Sequence, residues 1–212
     1  MKKLTIAYTI LACTVSMQAI LSAIPKEQPK IGIRIQEEVI TVVEPPKVEL
    51  GVKVEPAKKE VKVEPMWNYN VSTDITQPSG MTAEQLNSAL EGTGLQELGE
   101  EYLKAESNYG INAVVLMGIH VHESGWGNSS LAISNNNLGG IKNKSGDWAT
   151  FDSIASCIDY SAELLGKQYL KPDGKFYNGT DLTSVNIKYC ETDDWAGKVV
   201  DTINSILSRI NG

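Results

Sequence analysis

Ala113-Val114-Val115-Leu116-Met117-Gly118-Ile119-His120-Val121-His122-Glu123-Ser124-Gly125-Trp126-Gly127 is the stretch on which the reading of this chain turns. Asn112 stands where a helix N-cap belongs, and the nearly continuous apolar run after it predicts a central, buried helix over Ala113–Glu123. Such a helix delivers one carboxyl, Glu123, to its last turn, and the glycines on either side of Trp126 let the backbone turn tightly and let a ligand approach closely. One reading is bland: a helix end with a glycine cap and a core tryptophan. The other is chemical: a half-buried acid beside a flat aromatic wall. Cleavage of an acetal needs such an acid, because the departing oxygen must be handed a proton. Burial beside Val115, Leu116 and Ile119 raises a carboxyl pKa towards the working pH.

The residues that follow favour the chemical reading. After Trp126 come Ser129-Ser130-Leu131-Ala132, then Asn135-Asn136-Asn137-Leu138-Gly139-Gly140-Ile141-Lys142, then Trp148-Ala149-Thr150-Phe151-Asp152-Ser153, and later Tyr189-Cys190 and Asp194-Trp195-Ala196-Gly197-Lys198-Val199. This order resembles glycoside hydrolase family 73, the endo-β-N-acetylglucosaminidases that cut bacterial peptidoglycan. The family pattern is Glu-Ser-Gly-Trp-Gly, a short helix, then Asn-Asn-Leu-Phe-Gly-Ile-Lys. Gly139 departs from it, standing where the family commonly has Phe, which removes an aromatic contact near the cleft and bears on substrate fit rather than chemistry. The resemblance extends over residues 81–212. It implies an α+β, mainly α, lysozyme-like fold in which a helical lobe stands beside a small β-hairpin lobe. It also implies that Glu123 is the general acid, cutting the β-1,4 bond after N-acetylglucosamine in peptidoglycan glycan strands.

Periodicity gives a compatible outline. Thr82 with Glu84-Gln85 opens a short helix, and Leu95, Leu98, Tyr102 and Leu103 mark a second from Leu95 to Asn108, broken at Gly110. Leu138–Phe151 is too rich in Gly, Asn and Lys for a helix and reads as a small hairpin or loop around Asn143-Lys144-Ser145-Gly146. Asp152 or Ser153 then caps a helix to Lys167, and a final helix runs from Asp193-Asp194 to Ile210 with Val199, Ile203, Ile206 and Leu207 inward.

Glycoside hydrolysis needs a second group to activate water or stabilise the oxocarbenium ion. Asp147 is the candidate in the small lobe, and it reads equally as a solvated turn aspartate; Asp152 reads as a helix cap. Carboxyls about 6.5–9.5 Å apart would fit the inverting route and about 5 Å a covalent intermediate, while a third route uses the substrate's own 2-acetamido group. Tyr189 matches the family's late tyrosine near that acetamido group, with core packing as the equal alternative. Trp126, Trp148 and Tyr177 are candidates to line a glycan groove, Trp148 the best of them for stacking, whereas Trp195 reads as packing. Asn137 either bonds sugar hydroxyls or ends the loop. His120 and His122 lie two apart on one helix and point to different sides, so no metal site is expected, and the chemistry requires no cofactor.

Outside this domain the composition changes. Met1-Lys2-Lys3 followed by the apolar run Leu4–Ile24 predicts an export signal or an uncleaved membrane anchor over residues 1–24, ranked above a lipoprotein box at Cys13. Residues 25–80, with Lys53-Val54-Glu55-Pro56 and Lys62-Val63-Glu64-Pro65 recurring, predict an extended tether. The expected location is outside the cell or in its wall, with membrane attachment through residues 4–24 in the case where that segment is an anchor rather than a cleaved signal. The chain carries a formal net charge of −7, and residues 81–212 hold 17 acidic against 9 basic side chains. That balance argues against nucleic acid as a partner and leaves sugar recognition to stacking and hydrogen bonds. Beyond the leading segment, Cys157 and Cys190 permit a disulfide, with two buried thiols as the alternative. Two rival functions remain: a lytic transglycosylase of the same fold, and a non-catalytic wall-binding or assembly protein.

Overall fold

The structure, a computed structural model, describes residues 68–211. The expected signal or anchor over 1–24 and most of the expected tether lie outside the described residues. The tether boundary at residue 80 falls inside the folded unit. Tyr69 and Ile75 are buried, Ile75 N–H donates to the Thr180 carbonyl at 2.8 Å, and the Ile75 carbonyl accepts from Asn112 N–H at 2.8 Å. A Val- and Pro-flanked segment with so few apolar residues carries no periodic signal, which is why its packing was not legible.

Seven α-helices make up the described region: α1 (Ala83–Leu90), α2 (Gly99–Tyr109), α3 (Ala113–Ser124), α4 (Ser130–Asn135), α5 (Ile154–Leu164), α6 (Leu182–Tyr189) and α7 (Trp195–Asn211). A π-helical turn, Leu165–Tyr169, continues α5. Central α3 is buried from Ala113 to Val121 and packs most extensively on α7. Its start is over-determined. Asn112 Oδ1 accepts from Val114 and Val115 N–H and from the Tyr69 hydroxyl, and Glu106 Oε2 accepts from Ala113 N–H at 2.8 Å. An acid and a capping amide satisfy donors that a helix N-terminus leaves unpaired. Gly118 lets α7 come close: a Cβ there would lie 2.5 Å from Ile203 Cγ1. As the apolar spacing predicts, α7 buries Val199, Ile203, Ile206 and Leu207.

The other elements follow the expected chemistry with shifted bounds. Thr82 and Gln85 form a reciprocal capping box on α1, Gly110 ends α2 in the left-handed region, and Ser153 rather than Asp152 caps α5. The expected second helix starts later, because Leu95 and Leu98 pack without joining it. The sequence does not mark α6, because its buried face is only Leu182, Val185 and Asn186.

Mainly helical is the observed class; the β-hairpin lobe is not seen. Among the described residues the Leu138–Phe151 region holds one isolated antiparallel bridge, Lys142 to Trp148, and no ladder. Two backbone bonds cross the arms there, Asn143 N–H to the Asp147 carbonyl and Ala149 N–H to the Ile141 carbonyl, both 2.8 Å, and side chains add the rest. Asn143 Oδ1 accepts from Ser145 and Asp147 N–H, and Asn137 spans the two arms of the loop.

Candidate active site

Glu123 sits in the last turn of α3, which ends sharply because Gly125 takes φ +57° and donates its N–H to the Val121 carbonyl. Trp126 follows at φ +61°, a costly conformation for a bulky residue, and the surroundings hold it there. Its N–H donates to the Val121 carbonyl, its carbonyl accepts from Gly94 N–H, and the Arg209 guanidinium lies 5.0 Å over its ring. Arg209 also donates to the carbonyls of Ala89 and Glu91. Trp126 is therefore a wedge between α3, α7 and the end of α1, with a cation on one face. The close approach expected at Gly127 is likewise internal, for a Cβ there would lie 2.9 Å from the Gly94 carbonyl carbon.

The Glu123 carboxyl itself is half-buried, and its Oε1 accepts a 2.8 Å hydrogen bond from Trp195 Nε1. Burial pushes its pKa above the ordinary glutamate value, and the indole N–H opposes that rise. Trp195 is buried as expected, but it is more than packing: its one polar atom is aimed at the acid. The signal for this role was present in the Asp194-Trp195-Ala196 motif, yet only the fold brings α7's first residue beside α3's last turn.

Tyr189 joins the same group. Its ring lies 4.7 Å from that of Trp195 and 5.9 Å from that of Tyr169. Burial and the nearby charge of Glu123 push its hydroxyl well above the ordinary tyrosine value, so it stays protonated. A Cβ at Gly139 would lie 3.8 Å from the Tyr189 hydroxyl, and one at Gly140 would lie 3.8 Å from the Trp148 ring. Glu123, Trp195, Tyr189, Gly139, Gly140 and the exposed Trp148 thus form a continuous series of neighbours. Lys142 Nζ lies 5.0 Å from the centroid of the Trp148 ring.

Three other candidates lie elsewhere. Asn137 is buried and fully used: its amide donates to the carbonyls of Ile141 and Ala149 at 2.8 and 2.9 Å, and its oxygen accepts from Ile141 N–H. Asp147 is exposed in the turn, where its Oδ2 accepts from the Ser145 hydroxyl at 2.8 Å. Tyr177 is exposed in the loop between the π-helical turn and α6, and among the described residues no hydrogen bond or ring contact ties it to the Glu123 group. His120 is buried against Tyr102, its Nδ1 3.3 Å from the hydroxyl, and burial pulls its pKa down to about 3. Burial also pulls half-buried His122 below the ordinary imidazole value, with Lys198 adding to the fall and Asp194 opposing it. Among the described residues no group of three or more His, Cys, Asp or Glu is placed to hold a metal ion. Cys157 is a buried free thiol, so a Cys157–Cys190 bridge is absent. A separate cavity of about 740 Å³, lined by Asn186, Ile187, Asp193 and Asp194 among others, does not include Glu123.

A buried helix presenting one partly desolvated carboxyl, backed by an indole donor and a neutral tyrosine, is an arrangement that can hold a transferable proton above the ordinary glutamate range. The chain belongs to the glucosaminidase family, whose model, described as mannosyl-glycoprotein endo-beta-N-acetylglucosaminidase, matches residues 99–208. Two Streptococcus pneumoniae proteins named "Putative endo-beta-N-acetylglucosaminidase", from strains TIGR4 and R6, are each 25% identical to it over 148 residues, or 66% of this chain. The chain spans 22% and 21% of their lengths. Among solved structures, Staphylococcus aureus autolysin E matches with a TM-score of 0.55 and 21% identity, over 65% of this chain and 71% of that one. A catalytic mutant of autolysin E in complex with the disaccharide NAG-NAM matches at 0.54 and 22%, over 65% and 72%. At these identities the likeness establishes a shared fold.

Proposed function

We propose that this protein hydrolyses the β-1,4 glycosidic bond after N-acetylglucosamine in bacterial peptidoglycan, with Glu123 as the general acid. The observation that carries the proposal is the half-buried Glu123 carboxyl with Oε1 held by Trp195 Nε1, which leaves Oε2 to carry the proton. A raised pKa keeps that proton available nearer neutral pH, where an ordinary glutamate would have lost it. Autolysin E, of the same fold, has been captured with NAG-NAM, which supports a peptidoglycan substrate here.

For the second group the surroundings favour Tyr189 over Asp147. The protonated Tyr189 hydroxyl, beside Gly139 and within the field of Glu123, is a donor suited to orienting the substrate's 2-acetamido group for attack on the anomeric carbon. Asp147 has the environment of a solvated turn residue. Trp148, 40% exposed, is the stacking platform for a sugar, and Asn137 shapes the loop rather than touching the glycan. Residues 1–24 as export signal or anchor and the segment after them as tether belong to the same proposal, since the substrate lies outside the cell. Among the described residues no helix is long and apolar enough to cross a membrane.

The test is Glu123→Gln, which keeps the Trp195 hydrogen bond and removes the transferable proton. Clearing of cell-wall suspensions is abolished while co-sedimentation with walls persists; clearing that survives refutes the assignment. Mass spectrometry of the fragments decides the reaction. Reducing N-acetylglucosamine ends support the proposal, and anhydro-muramic ends replace it with a transglycosylase.

A further inference from the structure

We propose that Tyr169, on the π-helical turn after α5, is a positioning residue for the reaction: its ring seats Tyr189 against Trp195 and so aims the Tyr189 hydroxyl at the substrate's 2-acetamido group. The inference deepens the hydrolase reading above and rests on it. It starts from an irregular element. A π turn takes in one residue more than an α turn, and such turns collect at functional sites. Here Leu170 N–H reaches back five residues to the Leu165 carbonyl at 3.0 Å, and Tyr169 and Leu170 are both buried.

The Tyr169 ring lies 5.1 Å from that of Phe176 and 5.9 Å, edge-on at 66°, from that of Tyr189. Phe176 is itself pinned to the turn. Its N–H donates to the Gln168 carbonyl at 2.9 Å, and Gly174 comes so near that a Cβ there would lie 2.5 Å from the same oxygen. The Tyr169 hydroxyl donates to the Lys188 carbonyl over a long 3.4 Å, at the end of α6 where carbonyls lack helical partners. Tyr169 thus meets both the ring of Tyr189 and the backbone just before it.

Tyr189 needs such a support. It is the last residue of an eight-residue helix whose chain turns extended at Cys190, and the ends of short helices fray unless something outside holds them. Its other aromatic neighbour is Trp195, at 4.7 Å, which bonds Glu123. Phe176, Tyr169, Tyr189 and Trp195 therefore form an unbroken series from the loop after the π turn to the acid. After burial and Glu123, Tyr169 is the next influence keeping the Tyr189 hydroxyl protonated.

The experiment measures kcat and KM on purified cell-wall glycan for Tyr169→Leu and Tyr169→Phe of the full chain, each in the wild-type and the Tyr189→Phe background. Expected for Tyr169→Leu is a fall in kcat of about tenfold or more with KM within about twofold, as for a substrate group held out of line. Tyr169→Phe keeps the ring and most of the rate. In the Tyr189→Phe background Tyr169→Leu has no further effect on kcat, although it lowers Tm in both. A tyrosine that only stabilises the fold gives a different result: Tm falls, while the rate per folded molecule is unchanged or falls equally in both backgrounds. Either outcome overturns the proposal and leaves the Glu123 reading standing. Where Tyr169→Leu does not melt cooperatively, Tyr169→Met is read in the same way. A Tyr189→Phe variant as fast as wild type removes the Tyr189 role and this proposal with it, whereas a wild type that cuts no glycan overturns the hydrolase reading itself.

Discussion

Two regions adjoin at Tyr189 and are built by opposite means. The α3–α7 platform is regular helix packed on regular helix, and it sets the position and protonation of Glu123 through burial and one indole bond. The Asn137–Ala149 loop has a single bridge and is shaped by side chains bonding to backbone, Asn137 and Asn143 foremost. The difference teaches where each property resides. Changes in the platform should alter protonation or folding, whereas changes in the loop should alter how substrate fits.

The largest effect belongs to the platform. Glu123→Gln lowers the clearing rate by about 10²–10⁴-fold, the usual range for a lost general acid. It should also stabilise the fold in one direction of pH. The folded-state pKa of Glu123 is raised, so the native chain holds this proton to higher pH than the unfolded chain. The stability linked to it is fully present below the ordinary glutamate value and lost as pH rises through the raised one. Thermal melts across a pH series should show the variant level with wild type in acid and above it once the carboxyl has ionised. A variant less stable at high pH would contradict the burial argument. In the loop, Asn137→Ala leaves the Ile141 N–H and the Ala149 carbonyl without their partner, while the Ile141 carbonyl keeps Ala149 N–H, at about 1–3 kcal/mol for a buried group so orphaned. Loss of kcat/KM with an unmoved alkaline limb in the pH–rate profile is the expected result; a limb that moves would join the two regions into one. Gly118→Ala tests the platform's packing alone. Its methyl meets Ile203, costing about 1–3 kcal/mol by overpacking, so calorimetry should record a lower Tm while the folded fraction keeps its rate.

How much of this was legible follows the same division. The platform could be read because its determinants are local and periodic: the apolar run Val114–Met117 declares burial, Asn112 declares a cap, and the inward spacing of α7 appears intact in the structure. The loop could be read only in part: its turn falls at Asn143–Gly146, as the turn residues there predict, but Asn137 closes it by reaching four residues ahead to Ile141 and twelve ahead to Ala149, distances at which neither alternation nor turn chemistry speaks. The surroundings of Trp126 were not legible for a related reason. A sequence shows an aromatic beside an acid, but only the tertiary structure shows Arg209, from the last turn of α7, lying across its ring. Trp195 was underrated in the same way: its packing was visible, and the partner of its indole N–H was not.

The two smallest effects are the most discriminating. Trp195→Phe deletes the donor that lowers the Glu123 pKa while leaving burial to raise it, so the alkaline limb of the pH–rate profile should move to higher pH. A limb that stays or moves down would mean that the 2.8 Å bond positions the carboxyl without tuning it. Asp147→Asn should change the rate by no more than about twofold, because a solvated carboxylate bonded only within its own turn contributes within about 0.5 kcal/mol. The substitution preserves shape and removes only charge, so it isolates the chemical question. A loss approaching that of Glu123→Gln would place the second acid in the loop. The loop would then supply chemistry as well as fit, and the substrate's acetamido group would have no need to act as nucleophile.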